Sequence, residues 1–283
     1  MSALVLALAL GQLPATFPPG SSFLRGQSSW LLVSPDGVGL AEVSVIDERK
    51  VLSIGALPNG KGVVFTAERP DARPGLFMKQ GDTLTDLSIS PGYHAWPSVS
   101  ANGKTVAFVS SPASDSGPMG AHGAGSYAQL WIRPLGEGSP TRLTSTPGCK
   151  AAPRFLGQRI IFEHSSCRGT TNVERMSGGK TDVLFPDDER QERVPAVSPD
   201  GKHIATASRY FEVFRIMLSD YPRIAAGRQV ATVPRGNDPS IVWTRDSKFI
   251  VVAIGASAVK VDVESAKAET VWEFGKSERT DAK

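Results

Sequence analysis

The sequence is poor in the features that mark helical, nucleic-acid-binding or membrane-spanning proteins. Its 283 residues include no long periodic segment rich in Ala, Leu, Glu and Lys, whereas 28 Gly and 21 Pro predict frequent turns and few helices. Thirty-one Lys and Arg against 28 Asp and Glu leave a formal charge of +3, with the two signs interspersed. No basic stripe for nucleic acid is present. No apolar run approaches the length that spans a bilayer, so we expect no stable membrane span.

Catalytic motifs are missing as well. The chain contains no Gly-x-Ser-x-Gly elbow, no His-Glu-x-x-His helix, no Cys-x-x-Cys pair and no calcium loop. We therefore assign no catalytic residue, no metal and no cofactor from the sequence, and we expect a monomer.

Both ends of the chain differ from the rest. The apolar run from Ala3 to Leu10, followed by small residues and Pro, is typical of a signal peptide that is cleaved after Ala9 or Ala15, although no Lys or Arg precedes it. The alternative is a frayed terminus or a misassigned start codon. On the first interpretation residues 1–22 are a signal peptide and leader, and the protein is periplasmic or secreted from a bacterial envelope. Residues 275–283, of mixed charge, are predicted to be a disordered tail.

One short pattern recurs along the chain. "VPAVSPDGKHIATAS", "ALPNGKGVVFTA", "SVSANGKTVAFVS" and "IVWTRDSKFIVVA" each place a turn sequence between two apolar runs. Asp-Gly and Asn-Gly favour tight hairpins because Gly and Asn accept positive φ. Gly60, Gly103, Gly157 and Gly201 are separated by 43, 54 and 44 residues, and Ser247 takes the Gly place another 46 residues on. This period is that of a propeller blade.

The strands between the turns complete the fold prediction. Each hairpin is followed by two further candidate strands, which gives five units of four strands, and the stretch from Phe23 to Ile54 supplies a degenerate first unit. We predict an all-β, six-bladed β-propeller of four-stranded antiparallel blades over residues 23–274, with a degenerate first blade. Closure of the ring is left open, and a strand from the other end of the chain is one way to complete that blade. Residues expected between the blades are Val64, Phe65, Ala107, Phe108, Ile161, Phe162, Ala205, Val251 and Val252, together with Trp131, Trp243 and Trp272.

The hinges carry a family resemblance. Ser-Pro-Asp-Gly-Lys followed by "HIATAS" or "TVAFVS", and later by Arg142-Leu143-Thr144, resembles the WD-like repeats of TolB-type β-propellers over residues 23–274. The family implies the propeller architecture, and its relatives include envelope interaction proteins, lids of serine peptidases and polysaccharide lyases. No segment corresponds to the additional α/β domain that TolB carries before its propeller, so the resemblance concerns the propeller alone.

Two functions fit this resemblance. The first is a non-catalytic exported scaffold that binds a protein or peptide partner on one face of the ring. The candidate binding face carries His94, His122 and His164 with Tyr93 and Trp96, because connections between blades and between second and third strands share one side of the disk. Residues 111–126 lengthen that side. The alternative is a metal-assisted carbohydrate lyase or hydrolase, in which the three histidines gather a transition metal with Glu163 or Glu192 nearby.

The two cysteines flank one hairpin. Facing residues of an antiparallel pair have a constant index sum, and a turn at Gly157-Gln158 sets that sum near 315, while Cys149 and Cys167 sum to 316. A disulfide between them is therefore predicted, which an exported protein would permit. The alternative is two free thiols in loops.

Overall fold

The strands form a ring of six antiparallel sheets. The computed structural model describes residues 12–26, 28–69, 73–89, 92–112, 128–165, 171–185, 192–222, 227–234 and 239–275. Every regular element within these ranges is a β-strand, and the sheets are the blades of a six-bladed β-propeller. The predicted fold class is confirmed. The described residues begin at 12, so most of the expected leader lies outside them. They end at 275, so the predicted tail lies outside them as well, apart from its first residue.

The blades follow one another in chain order. Blade 1 comprises β1 to β3, blade 2 comprises β4 to β8, and blades 3 to 6 take four strands each from β9 to β24. The strands are β1 (Ser22–Arg25), β2 (Trp30–Val33), β3 (Gly39–Val43), β4 (Val45–Ile46), β5 (Arg49–Ala56), β6 (Gly62–Glu68), β7 (Pro74–Gln80), β8 (Thr83–Asp86), β9 (Gly92–Val99), β10 (Thr105–Pro112), β11 (Gln129–Pro134), β12 (Thr141–Arg142), β13 (Cys149–Leu156), β14 (Arg159–Ser165), β15 (Thr171–Ser177), β16 (Lys180–Val183), β17 (Glu192–Val197), β18 (His203–Tyr210), β19 (Val213–Asp220), β20 (Arg228–Pro234), β21 (Ile241–Trp243), β22 (Phe249–Ile254), β23 (Ser257–Asp262) and β24 (Ala268–Glu273).

The recurring hinge is a turn built by its own side chains. In blade 5 the Ser198 hydroxyl donates to Asp200 Oδ1 at 2.6 Å, and Asp200 Oδ1 also accepts the N–H of Lys202 at 3.0 Å. Ser198 Oγ accepts the N–H of His203 at 2.9 Å, which fixes the start of β18. Gly201 adopts φ 71°, a conformation that favours glycine. The turn residues therefore specify the hairpin locally.

The same network recurs in blade 6. Thr244 Oγ1 donates to Asp246 Oδ1 at 2.6 Å, and Asp246 accepts the N–H of Lys248 at 3.0 Å. Ser247, in the Gly place, adopts φ 60°. Its hydroxyl accepts the N–H of Asp200 from the hinge of blade 5 at 3.2 Å, so successive hinges touch. The side of the ring that carries the turns at 57–61, 100–104, 198–202 and 244–248 is called the hinge face.

The core lies between the blades. The second strand of each of blades 2 to 6 is apolar on both sides because neighbouring blades cover both faces of its sheet. Six apolar clusters of the described residues each join two adjacent blades around the ring. All nine strand residues expected between the blades are buried, and Trp131, Trp243 and Trp272 pack in three of these clusters.

Among the described residues the ring closes by packing between blades 1 and 6, without a strand shared from the other end of the chain. Among the described residues blade 1 pairs β1, β2 and β3 alone. The first strand, β1, contacts β5 and β21, the neighbouring blades on either side. Trp272 of β24 donates its Nε1–H to Glu42 of β3 at 2.8 Å, and Lys260 Nζ donates to the Asp36 carbonyl at 2.8 Å. Side-chain contacts thus take the place of a shared strand.

Blade 1 also uses its hinge sequence at a different position. The turn Ser34-Pro35-Asp36-Gly37 joins β2 to β3, whereas the hinges of the other blades precede their second strand. Residues 49–54, which the sequence assigned to the degenerate unit, belong to β5 of blade 2. The extra strand β1 carries no hinge of its own, which is why the repeat pattern did not mark it.

Candidate functional site at the central channel

A cavity of about 440 Å³ occupies the centre of the ring. Its wall is made where β9, β13 and β17 begin, with contributions from β1, β5 and β6, so it lies at the end of the channel opposite the hinges. We call this end the channel face. The lining residues are Arg25, Trp30, Leu52, Ser53, Thr66, Glu68, Pro74, Tyr93, His94, Ala95, Trp96, Ala151, Ala152, Arg154, Glu163, Arg193, Val194, Pro239 and Ser240.

Three first strands bend at the cavity wall in the same way. Trp96, Ala152 and Val194 adopt φ values of 52°, 44° and 51°, each residue precedes a proline, and the strand pairing shifts register there. Positive φ is unusual for these residue types and marks a genuine outlier for a β-branched side chain. Such bulges re-aim side chains at the inner end of a sheet.

The bulges also connect neighbouring blades. The N–H of Trp96 donates to Ser53 Oγ of blade 2 at 3.0 Å, and the N–H of Val194 donates to Glu163 Oε2 of blade 4 at 3.2 Å. Between blades 1 and 6 the N–H of Arg25 donates to Ser240 Oγ at 3.0 Å. Backbone groups that leave the strand ladders are therefore satisfied across the blade interfaces.

Aromatic side chains surround the cavity. Trp30, Tyr93 and Trp96 line it, and all three are half-buried. The turn between β18 and β19, which lies on the channel face because β18 pairs with the start of β17, presents two more. There the ring of Phe211 is 77% exposed and meets Tyr210 edge-on, with 4.7 Å between ring centroids. Tyr210 and Phe211 thus form an exposed aromatic pair on the channel face.

Of two arginines that line the cavity, Arg193 has a carboxylate partner and Arg154 has none among the described residues. Arg193 Nε and Glu163 Oε1 form a buried ion pair at 3.2 Å. Arg154 Nη1 donates to the carbonyl of the adjacent Pro153 at 2.9 Å, and the structure pairs this guanidinium with no carboxylate among the described residues. Burial lowers the pKa of Arg154 to about 10, so the group remains positive at neutral pH.

His94 lines the cavity as a neutral imidazole. Its Nε2 accepts the N–H of Ile89 at 3.0 Å, so the proton is on Nδ1, which faces the carbonyls of Gly92 at 3.0 Å and Pro74 at 3.2 Å. Burial lowers the pKa of His94 to about 4, while the hydrogen bonds to the two carbonyls act in the opposite direction. Both ring nitrogens are engaged within the protein.

His164 takes a different position. It lies on β14 and does not line the cavity, whereas its neighbour Glu163 does, because alternate strand residues face opposite sides. Its Nδ1 pairs with Glu174 at 2.6 Å, and its Nε2 faces the Pro147 carbonyl at 3.0 Å. The structure thus brings Tyr93, His94 and Trp96 together, whereas His164 faces away from the cavity and bonds to Glu174 and Pro147 beside its own blade.

Several predicted residues lie outside the described ranges. They include His122, Cys167, most of the loop 111–126 and the side chain of Glu192. Within the described part of the chain, no group of three or more His, Cys, Asp or Glu side chains is arranged to hold a metal ion. The proposed gathering of three histidines and the pairing of Cys149 with Cys167 stay predictions.

The hairpin register bears on the cysteines. The turn lies at Gly157–Gln158, and facing residues sum to 315 beside it, but the bulge at Ala152 lowers the sum to 314. Ser165 therefore stands opposite Cys149. Cys167 follows two residues later, beyond the described strand β14.

Comparison with known proteins gives structural neighbours alone. No family model matches the sequence, and no curated protein matches it. Solved structures with a similar fold include TolB from Acinetobacter baumannii (TM-score 0.67, 17% identity, 88% of this chain and 62% of that chain). They also include an oligogalacturonate lyase in complex with manganese (0.64, 11%, 92% and 80%) and a chain of a nidogen/laminin complex (0.65, 10%, 88% and 92%). The chain spans less than two thirds of the length of that TolB.

The fold therefore defines the protein as a six-bladed β-propeller with an accessible central channel. Its architecture is that of the TolB-like propellers, which the Ser-Pro-Asp-Gly-Lys hinges predict. At these identities the likeness concerns the fold. No helix among the described residues is long and apolar enough to cross a bilayer.

The sequence did not single out Arg154, Arg193, Trp30 or Phe211. A signal for the bulges was present, because Trp96-Pro97, Ala152-Pro153 and Val194-Pro195 stand at matching places in three repeats. Proline lacks the N–H that a strand ladder needs, so its recurrence in a strand predicts an interruption at the channel wall.

Proposed function

We propose that this chain is a non-catalytic propeller that binds a protein partner, through a peptide segment, at the channel face. The observation that carries the proposal is the grouping of Trp30, Tyr93 and Trp96 around a cavity large enough to take side chains. Half-buried aromatic residues beside a concave opening are the usual anchors of binding interfaces.

The rim of the channel face supports a macromolecular partner. Phe211 is 77% exposed at the tip of the β18–β19 hairpin, and the Arg215 guanidinium lies 3.4 Å from the ring centroid of its neighbour Tyr210. A cation over an aromatic ring holds that ring in place. The tip thus offers an apolar contact on the same face as the cavity, which a partner larger than the cavity can cover.

Fold similarity and the N-terminal run support the setting. Chains of the same fold occur in structures of TolB and of a nidogen/laminin complex, and the second is a complex between proteins. We propose a periplasmic or secreted monomer of a bacterial envelope, in which the apolar run from Ala3 to Leu10 directs export. Partner binding of this kind requires no cofactor.

Crosslinking in a native envelope extract tests the proposal. The purified chain should capture a defined partner, and Tyr93→Ala or Phe211→Asn should weaken that capture at least about tenfold because each removes an aromatic anchor. Asn suits position 211, where φ is 46°. Deleting residues 113–124 should also weaken capture without unfolding the ring.

The matched control lies on the hinge face. Val38, 53% exposed in the turn between β2 and β3, is an apolar side chain far from the channel face. Val38→Ser should leave capture unchanged. Equal loss in Val38→Ser and Phe211→Asn, or unchanged capture after all channel-face changes, would contradict the proposal.

A further inference from the structure

Among the described residues, the wall of the central cavity contains one positive charge more than its carboxylates neutralise. Arg154 follows the bulge of β13 and lines the cavity, and its single hydrogen bond in the described structure goes to the carbonyl of Pro153. Guanidinium groups are hard to deprotonate, and with a pKa of about 10 this one stays charged at neutral pH. A desolvated charge without a counter-ion is costly and calls for a functional explanation.

The other charges of the wall do not supply the missing partner. Glu163 is committed to Arg193 through one oxygen, at 3.2 Å, and to the N–H of Val194 through the other, also at 3.2 Å. At the edge of the cavity, Arg25 and Glu68 are both exposed and opposite in charge. His94 is neutral. The described lining residues therefore carry a net charge of +1, which we assign to Arg154.

The space around Arg154 is open. The residues that precede it in the wall, Ala151 and Ala152, have the smallest side chains that still carry Cβ, and Ala95 lies in the neighbouring strand β9. The bulge at Ala152, with φ 44°, shifts the register of β13, so the strand residues after it alternate differently from those before it. The result is a guanidinium that faces an unfilled volume with aromatic walls.

We propose that the central channel binds a single organic carboxylate, which pairs with the Arg154 guanidinium. The inference rests on the proposed function and specifies its ligand chemistry: the segment of the protein partner that enters the channel carries an acidic side chain or a free C-terminus. The guanidinium fork matches the two oxygens of a carboxylate. One excess positive charge matches a monoanion rather than a phosphate dianion, and Trp30, Tyr93 and Trp96 suit the organic part of the ligand.

Direct binding of matched small probes tests the carboxylate site on the purified full chain. N-acetylphenylalanine presents a C-terminal carboxylate, the amide of acetyl-Phe-Glu presents a side-chain carboxylate, and N-acetylphenylalaninamide is the neutral control. Ligand-detected NMR should show binding of at least one acidic probe and about tenfold or more weaker binding of the neutral one. Whichever acidic probe binds more tightly identifies the source of the carboxylate.

Three variants assign the binding to Arg154. Arg154→Gln should weaken binding of the acidic probe at least about tenfold, and Arg154→Lys, which keeps the charge but loses the fork, should give an intermediate loss. Arg159→Gln, at the exposed far end of the same hairpin, is the matched control and should change nothing. Equal binding of acidic and neutral probes, or unchanged binding in Arg154→Gln, would overturn the inference.

A second measurement separates a ligand site from a structural arginine. Because burial lowers the pKa of Arg154 and no carboxylate among the described residues pairs with it, Arg154→Gln should raise the urea midpoint of unfolding. A lowered midpoint would mean that the guanidinium stabilises the wall, and the inference would fail. Probe binding needs no partner, so loss of the carboxylate site and failure of capture from the extract are observed independently.

Discussion

The hinge face and the channel face of this propeller are built on opposite principles. On the hinge face turn side chains accept N–H groups of their own turn, and positive φ falls on Gly60, Gly103 and Gly201. The fourth hinge is the exception, since Ser247 has positive φ there and bonds to the hinge of blade 5. On the channel face positive φ falls on Trp96, Ala152 and Val194. Backbone groups there depend on side chains of the next blade.

The difference separates the residues that specify the fold from those that specify a site. A hinge repeats because every blade needs the same turn, whereas the charged and aromatic residues of the cavity wall differ from blade to blade. Conformations that are costly for the residues adopting them concentrate where a ligand must be met. Variants of the two faces should therefore differ in what they change.

Removing residues 260–283 should destabilise the whole ring, including both faces. The deletion removes the second half of β23 and all of β24. With them go the Trp272–Glu42 bond and the residues Val271, Trp272 and Phe274, which cover the cluster between blades 1 and 6. Circular dichroism and thermal melting should reveal loss of the single cooperative transition that the full chain is expected to have. Retention of a cooperative melt near that of the full chain would indicate an open array of blades.

The channel face should be the acid-sensitive one. His94 has a pKa of about 4 in the folded chain, chiefly because of burial, against 6.5 as its ordinary value. The unfolded chain therefore binds the proton first, and stability should be lost as pH falls from about 6.5 to about 4, by about 3 kcal/mol in total. Urea midpoints between pH 7.5 and 4.5 measure this loss.

His94→Gln isolates the contribution of this residue. The amide can accept from Ile89 and donate to Gly92 without titrating, so the slope between pH 6.5 and 4 should flatten. His203→Gln, at a histidine that pairs with Asp220 outside the channel, is the matched control. An unchanged slope in His94→Gln would assign the acid sensitivity elsewhere.

The fold could be predicted from the sequence because its determinants are local. Asp200-Gly201 and Asn102-Gly103 encode hairpins through turn chemistry, and the runs around Phe65 and Ile161 are apolar because blades cover both sides of their strands. The period of the hinges then counts the blades. Blade 1 is the exception, because its extra strand β1 has no hinge sequence to mark it.

The site could be predicted less well because bulges and face alternation are not local. The connections of the propeller put His94 and His164 on one side of the disk, but strand alternation turns Glu163 into the cavity and His164 away from it. Arg154 was missed because the shift at Ala152 changes which residues face the channel. The hydrogen bonds between blades form only in the assembled ring, so no single stretch of sequence predicts them.

Removing one hinge hydroxyl should have a moderate effect on stability and none on binding. Ser198→Ala removes the acceptor of the His203 N–H and the donor to Asp200 from a buried position of an otherwise exposed turn, at a cost of about 1–2 kcal/mol. The Ser198 hydroxyl is the largest cause of the lowered pKa of Asp200, so that pKa should rise in the variant. Carboxyl NMR titration and urea unfolding measure the two effects.

The control for the hinge is an exposed serine. Ser265→Ala, in the turn between β23 and β24, should change stability by less than about 0.5 kcal/mol. Partner capture should be the same in both variants, since neither residue lies on the channel face. Weakened capture in Ser198→Ala at unchanged stability would erase the distinction between the faces.

The smallest expected effect tests the strain of the channel wall. Val194 and Val197 are both half-buried residues of β17, but Val194 adopts φ 51° whereas Val197 pairs within the ladder opposite Ile204. Replacing valine by glycine in the ladder removes apolar contact and loosens the unfolded chain, at a cost of about 1–2 kcal/mol. At Val194 the same losses are offset by relief of a backbone conformation that costs about 1 kcal/mol or more for a β-branched residue. Val194→Gly should therefore change the free energy of unfolding by less than about 1 kcal/mol, and by clearly less than Val197→Gly. Equal losses at the two positions in urea titrations would mean that the bulge stores no strain, and the channel face would then differ from the hinge face in its charges and aromatic residues rather than in its backbone.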